Sequence, residues 1–236
     1  MKVAINGFGR IGKLVFRAFL ERNLKNIDIV AINELGSLES SYHLLKYDSV
    51  HGNLPLKITN TNKGLKYNNK KTTFYSESDP ENLPWKKLGI DLVLDCSGVF
   101  TSKEKAQSHI EAGAKKVIIS APATNADITI VQGVNDKNLN KKHKIISNGS
   151  CTTNCLAPVA YVLNKEFKIE KGFMTTIHSY TSDQRLLDNS HKDLRRARSA
   201  GQSIVPTSTG ASRALGEIIP ELKGKLEGLA MRVPTP

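Results

Sequence analysis

Three glycines, Gly7, Gly9 and Gly12, follow directly on the apolar run Lys2–Asn6 and lead into a helical pattern at Arg10. Few local patterns constrain a chain more. A strand that turns at once into a helix through such glycines predicts the opening βαβ unit of a parallel sheet, with a dinucleotide held at the helix start. Gly7 permits the tight turn, Gly9 lets backbone approach the pyrophosphate, and Gly12 allows close helix–strand packing. The free N–H groups of Arg10 and Ile11 then face the phosphates. Glu34 ends the second apolar strand, Asp28–Asn33, about twenty residues beyond Gly12. A carboxylate there accepts from ribose hydroxyls and repels a 2′-phosphate, so the expected cofactor is NAD rather than NADP.

The remaining pattern keeps alternating. Residues 10–23 read as a helix with Ile11, Leu14, Val15, Ala18 and Phe19 on one face. Residues 53–74 are lysine-rich with strand-like alternation, a peripheral excursion at a sheet edge. Residues 91–96 and 117–120 read as buried strands flanking a helix at 102–112, which predicts an α/β, doubly wound parallel sheet of Rossmann type covered on both faces. Near Ser147 the character shifts. Cys151–Phe167 reads as a helix burying Leu156, Val159, Ala160, Val162 and Leu163, followed by a strand at 172–178 and a long polar loop at 179–203. A helix at 210–219 and the strand Leu226–Val233 complete the pattern. The expected domains are 1–147 for the dinucleotide and 148–236 for catalysis.

The bulk properties exclude several classes. No apolar stretch approaches the ~20 residues that cross a bilayer, so no membrane association is expected. The 236 residues hold three cysteines, Cys96, Cys151 and Cys155, too few for a disulfide framework. With Met1 running straight into a strand and no export leader, a cytoplasmic protein is expected. The net charge of +12 raises a nucleic-acid partner, but the lysines of 63–71 and 137–144 are mixed with asparagines as in solvated turns, which argues against it.

The second domain opens on a candidate nucleophile. Cys151 stands at a helix start behind the cap residues Asn148 and Ser150, where the free N–H groups and dipole favour a thiolate. Cys155, one turn deeper, is expected to pack as a small apolar side chain. Neither has further Cys or His ligands nearby, so no metal is expected. His178, ending an apolar strand, is a candidate base toward the thiol. A thiol paired with a nicotinamide cofactor suggests oxidation of an aldehyde through a covalent thioester.

Asn6-Gly-Phe-Gly-Arg-Ile-Gly12, Lys46-Tyr-Asp-Ser-Val-His-Gly52, Ser147-Asn-Gly-Ser-Cys-Thr-Thr-Asn-Cys155, Thr175-Thr-Ile-His-Ser-Tyr-Thr181, Pro206-Thr-Ser-Thr-Gly-Ala211 and Met231-Arg-Val-Pro-Thr235 occur in order along the chain. Together they resemble the phosphorylating glyceraldehyde-3-phosphate dehydrogenases. The resemblance implies Cys151 as nucleophile and His178 as base, and Arg10, Ile11, Glu34 and Ser120 at the cofactor. It implies Ser150, Thr152, Thr209 and Gly210 around one phosphate and Thr181 and Arg232 around the phosphate of the substrate, glyceraldehyde 3-phosphate, with Arg196, on the long loop, near these anion sites. A homotetramer is implied for a full-length member. Departures from the family pattern are Glu34 for an aspartate, Ser78 for a basic residue, and Gly149 for a slightly larger side chain. Family members also continue beyond the strand that carries Arg232, so the resemblance implies an incomplete α+β catalytic domain with uncovered apolar faces and a truncated chain. Two alternatives stand beside this reading. Asn33-Glu34-Leu35 and Leu44-Leu45-Lys46 are similar to erythrose-4-phosphate dehydrogenase, against which Thr209-Gly210 weighs, and the basic chain is otherwise a non-catalytic binding protein.

Overall fold

A computed structural model describes residues 1–236, which form two compact units, 1–130 with 138–149 and 131–137 with 150–236. In the first, β1 (Lys2–Asn6), α1 (Arg10–Glu21) and β2 (Asp28–Asn33) form the expected βαβ start, followed by α2 (Leu38–Lys46) and the short pair β3 (Tyr47–Asp48) and β4 (Gly52–Asn53). Next come β5 (Ile58–Thr61), β6 (Gly64–Tyr67), β7 (Lys70–Tyr75), α3 (Trp85–Leu88) and β8 (Leu92–Asp95). The unit closes with α4 (Lys103–Glu111), β9 (Lys116–Ile119), β10 (Ile128–Thr129) and β11 (Ile145–Ser147). Nine strands join in the order β10-β11-β9-β8-β1-β2-β7-β6-β5. All pairs from β10 to β7 are parallel, and β6 and β5 extend that edge antiparallel.

Alternation along the strands builds the two faces. Val3 and Ile5 of β1 pack with Phe16, Phe19 and Leu20 of α1, whereas Ala4 packs with Trp85, Val93 and Ala106 on the opposite side. The chain runs outward from β1 through β2 to β7, then returns to β8 and continues the other way. The order therefore reverses between β1 and β8, and a crevice opens beyond their carboxyl ends.

The face of α1 differs from the expected one. Gly12, Phe16, Arg17, Phe19 and Leu20 are buried, while Ile11 is 48 % exposed. The close approach of Gly12 to the turn sets this rotation, since a Cβ there would lie 2.2 Å from Gly7 O.

The second unit contains α5 (Cys151–Phe167), β12 (Gly172–Ser179), β13 (Val205–Ser208), α6 (Ala211–Ile218) and β14 (Leu226–Val233), with the sheet order β12-β14-β13. Here too the buried helix face differs. α5 turns Thr153, Ala157, Ala160 and Asn164 inward, and its small alanines let it pack with Val131, Leu215, Ile218 and Leu222. Val159, Val162 and Leu163, expected to be buried, are exposed, and so is Cys155. Cys155 lies on the helical stripe of Cys151, Val159 and Val162, one turn apart each, so it faces outward with them. No helix of either unit is long and apolar enough to cross a membrane.

Candidate active site

The first unit places the glycine turn at the mouth of the crevice. Gly7 has φ +86°, and a Cβ on it would meet Ser97 N at 2.4 Å. Gly9 differs from the other two, because a Cβ there would meet nothing within 4 Å. Gly9 caps α1 without a side-chain bond, and no acidic residue stands in the first turn, so the N–H groups and positive dipole end of the helix stay available to an anion. Asn6, Gly7, Gly9, Asn33, Glu34 and Ser97 line the cleft, with Ser78 and Phe100.

Glu34 accepts from Phe8 N at 2.6 Å and from Gly36 N at 3.1 Å, which ties the glycine turn to the end of β2. The Arg10 guanidinium is held by Asp48 at 3.0 Å. Ser120 hydrogen-bonds the Cys96 thiol, whose pKa burial pushes up to about 11.

The second unit assembles a thiol site from α5, β12 and β14. Ser150 caps α5 by accepting from Thr153 N at 2.9 Å, which sets Cys151 in the first turn. Gly149, with φ +67°, adopts the left-handed backbone that glycine favours. Cys151 Sγ lies 3.2 Å from His178 Nε2. The other ring nitrogen, Nδ1, lies 2.7 Å from Ser179 O. Arg232 Nη1 also lies 3.2 Å from Nδ1 and can only donate, but the shorter contact is to the Ser179 carbonyl, which can only accept. That contact favours the tautomer with the proton on Nδ1, in which Nε2 turns its lone pair to the thiol.

The parallel register pairs His178 with Arg232, which brings the guanidinium against the imidazole. Arg232 Nη1 donates to Ser179 O at 3.1 Å and to Thr181 Oγ1 at 3.4 Å, while its buried Nε has no protein partner. Burial and then the Arg196 charge disfavour the Arg232 cation, while Asp183 and Cys151 favour it. Arg196 is held by Asp183 at 2.5 Å and by Thr207 at 3.0 Å. Two guanidiniums that repel one another beside an unpaired donor suit a phosphate. Thr209 Oγ1 accepts from Ala211 N at 3.2 Å, next to Gly210 at the start of α6.

The family profile described as glyceraldehyde 3-phosphate dehydrogenase, NAD binding domain, matches residues 1–103, and that of the C-terminal domain matches residues 150–236. Glyceraldehyde-3-phosphate dehydrogenase of Geobacillus stearothermophilus is 58 % identical over 237 residues, covering 100 % of this chain and 70 % of that protein. The enzyme of the same name from Zymomonas mobilis is 56 % identical with the same coverage. Glyceraldehyde-3-phosphate dehydrogenase 2 of a Nostoc strain is 57 % identical, covering 100 % of this chain and 71 % of its own. The chain belongs to the glyceraldehyde-3-phosphate dehydrogenase family.

Membership makes it an NAD-dependent oxidoreductase, and the comparisons do not favour the erythrose-4-phosphate alternative. The cleft fits that cofactor. The open space over Gly9 suits a close backbone approach by the pyrophosphate, and the uncapped start of α1 supplies its donors. Glu34 keeps lone pairs for ribose hydroxyls after serving Phe8 and Gly36.

Sequence reasoning passed over Thr207, Asp183 and Asp193. The buried Thr207 hydroxyl accepts from Arg196 and donates to Asp193 Oδ2 at 3.1 Å. No local signal marks these residues, because β13 and the loop before it meet only through the tertiary fold. It also passed over Asn6 and Asn33, both buried in the cleft wall. A signal was present there, since Ala-Ile-Asn ends both β1 and β2.

Proposed function

We propose that this chain carries out the NAD-dependent oxidative phosphorylation of D-glyceraldehyde 3-phosphate to 1,3-bisphosphoglycerate, with Cys151 as nucleophile and His178 as base. The observation that carries the assignment is the 3.2 Å approach of Cys151 Sγ to His178 Nε2. His178 takes the thiol proton, and the thiolate adds to the aldehyde carbon to give a thiohemiacetal. His178 gives that proton to the oxyanion so formed, and takes it back from the thiohemiacetal hydroxyl as the carbon loses a hydride. When bound, NAD supplies the hydride acceptor, and Gly7, Gly9, Arg10, Ile11, Gly12, Glu34 and Ser120 are assigned to holding it. Inorganic phosphate attacks the resulting thioester, the carbon–sulfur bond breaks, and the acyl phosphate leaves with the Cys151 thiolate restored.

Arg232, Thr181 and Arg196 are assigned to the substrate phosphate, and Ser150, Thr152, Thr209 and Gly210 to the attacking phosphate. Hydroxyls, N–H groups and guanidiniums are the donors that two phosphates need. A homotetramer of the full-length protein and a reducing, cytoplasmic setting complete the proposal. The test is a rapid-mixing experiment without inorganic phosphate. The expected result is a burst of one NADH per Cys151 that stalls at the thioester, with the burst abolished in Cys151→Ser and slowed at least ~100-fold in His178→Asn. A burst that survives Cys151→Ser would overturn the assignment.

A further inference from the structure

Three neighbouring strands of the parallel sheet end in a buried polar side chain: Asn6 on β1, Asn33 on β2 and Asp95 on β8. These side chains form one line of hydrogen bonds under the dinucleotide cleft, and its direction is fixed from both ends. At one end Glu77 N donates to Asn33 Oδ1 at 2.9 Å. The Asn33 amide nitrogen therefore faces Asn6 Oδ1 and Glu77 O, each at 2.8 Å. Asn6 in turn directs its own amide nitrogen to Asp95 Oδ2 at 2.8 Å.

At the other end the Trp85 indole, which can only donate, gives its proton to His109 Nδ1 at 3.1 Å. His109 is then neutral with its proton on Nε2, 3.1 Å from Asp95 Oδ2. Ser97 adds its hydroxyl at 2.8 Å and its N–H at 3.2 Å to Asp95 Oδ1. Every group facing Asp95 is a neutral donor, and Asp95, His109 and Trp85 are at most 1 % exposed.

A carboxylate buried without a counter-cation is costly, and apolar side chains would serve stability alone as well or better. What the network does hold in place is the cleft. Ser97 Oγ also accepts from Val99 N, which shapes the turn against which Gly7 packs without room for a Cβ. Asn33 grips the Glu77 backbone through both its N–H and its carbonyl, which sets the opposite wall at Ser78. Both walls are thus referred to one carboxylate. We propose that Asp95 is a positioning residue for the cofactor, holding the Ser97 turn and the Asn6–Asn33–Glu77 wall in the geometry that binds NAD.

The proposal rests on the assignment of this cleft to NAD, and the experiment separates the two. NAD+ binding to the 236-residue chain is measured by calorimetry for the wild type, Asp95→Asn, Ser97→Ala and the swap Asn6→Asp with Asp95→Asn. Asp95→Asn keeps the shape but sets an amide N–H against donors, and affinity should fall on the order of tenfold or more. The swap restores an amide–carboxylate pair and should recover part of the loss. Ser97→Ala, which removes one bond at the rim, should weaken binding about threefold and serves if Asp95→Asn does not fold. Alkylation of Cys151, which lies in the other unit, should keep its wild-type rate in all variants. Wild-type affinity in folded Asp95→Asn, or in Ser97→Ala, overturns the proposal. So does an affinity loss that the swap leaves untouched while alkylation falls in parallel, which marks general destabilisation. A wild-type chain that binds no NAD+ overturns the cofactor assignment of the cleft, and the proposal with it.

Discussion

At the scale of the residue, the three thiols of this chain stand in three different environments. Cys96 is pushed up to about 11 by burial, and Cys155 is exposed on α5. Cys151 is both exposed and 3.2 Å from an imidazole nitrogen ready to take its proton. Iodoacetamide at neutral pH should therefore modify Cys151 first, Cys155 more slowly and Cys96 last, as read by peptide mass spectrometry over time. Equal rates for Cys151 and Cys155 would show that His178 does not activate the thiol. Glu34 supports a second expectation. Its carboxylate is fixed at the cleft by Phe8 N and Gly36 N, so it cannot swing away from a 2′-phosphate. The repulsion and lost ribose bonds are worth on the order of 1–3 kcal/mol, a preference for NAD over NADP of about tenfold or more. Competitive binding of the two cofactors measures it, and equal affinities would remove Glu34 from the selectivity.

At the scale of the element, the glycine turn and α1 separate binding from stability. Gly9→Ala places a methyl in open space, so the fold should keep its melting temperature while NAD binding weakens. Gly12→Ala drives a methyl to 2.2 Å from Gly7 O and should destabilise the unit by 1–3 kcal/mol or so through overpacking. Thermal melts and cofactor titrations of both variants read the two effects independently, and a matched pattern in the two would defeat the distinction. The start of α4 offers a pH-dependent counterpart. Burial disfavours the Asp127 carboxylate, but Lys103 at 2.7 Å and the N–H groups of Ile145 and Lys144 outweigh that and bring its pKa down to about 2. A pKa depressed by folding stabilises the folded state above the unfolded value near 4, and that contribution is lost as pH falls through about 2. Asp127→Asn should thus be less stable than the wild type at pH 7, with the gap closing toward pH 2 in urea titrations. A gap of the same size at both ends would assign the loss to packing instead.

At the scale of the whole molecule, what the sequence made legible follows its periodicity. The strands Lys2–Asn6, Asp28–Asn33 and Leu226–Val233 and the helix Cys151–Phe167 carry the pattern of their element in their own residues, and they form over those bounds. The helix Leu38–Lys46 was not legible, because only Ser41 and Leu45 of its nine residues are buried. Helix faces were misjudged for a related reason. A pattern of apolar residues says which side can be buried, whereas the small side chains Gly12, Ala157 and Ala160 decide which side approaches its neighbour most closely. On α5 this leaves Val159, Val162, Leu163 and Phe167 outward, with Phe167 77 % exposed. On β12, the edge strand of its sheet, Phe173 and Ile177 are 65 % and 68 % exposed. Exposed apolar stripes and an unpaired edge strand are the two features that folded chains ordinarily cover, because each invites association. The 236-residue chain on its own should accordingly bind a hydrophobic dye such as anilinonaphthalene sulfonate and self-associate as its concentration rises, by light scattering or sedimentation. Val162→Lys with Phe167→Lys changes only outward positions of α5, so it should lower dye binding and association while leaving the Cys151–His178 pair reactive to iodoacetamide. A wild-type chain that stays monomeric and dye-free would mean that these side chains find cover within the molecule in solution.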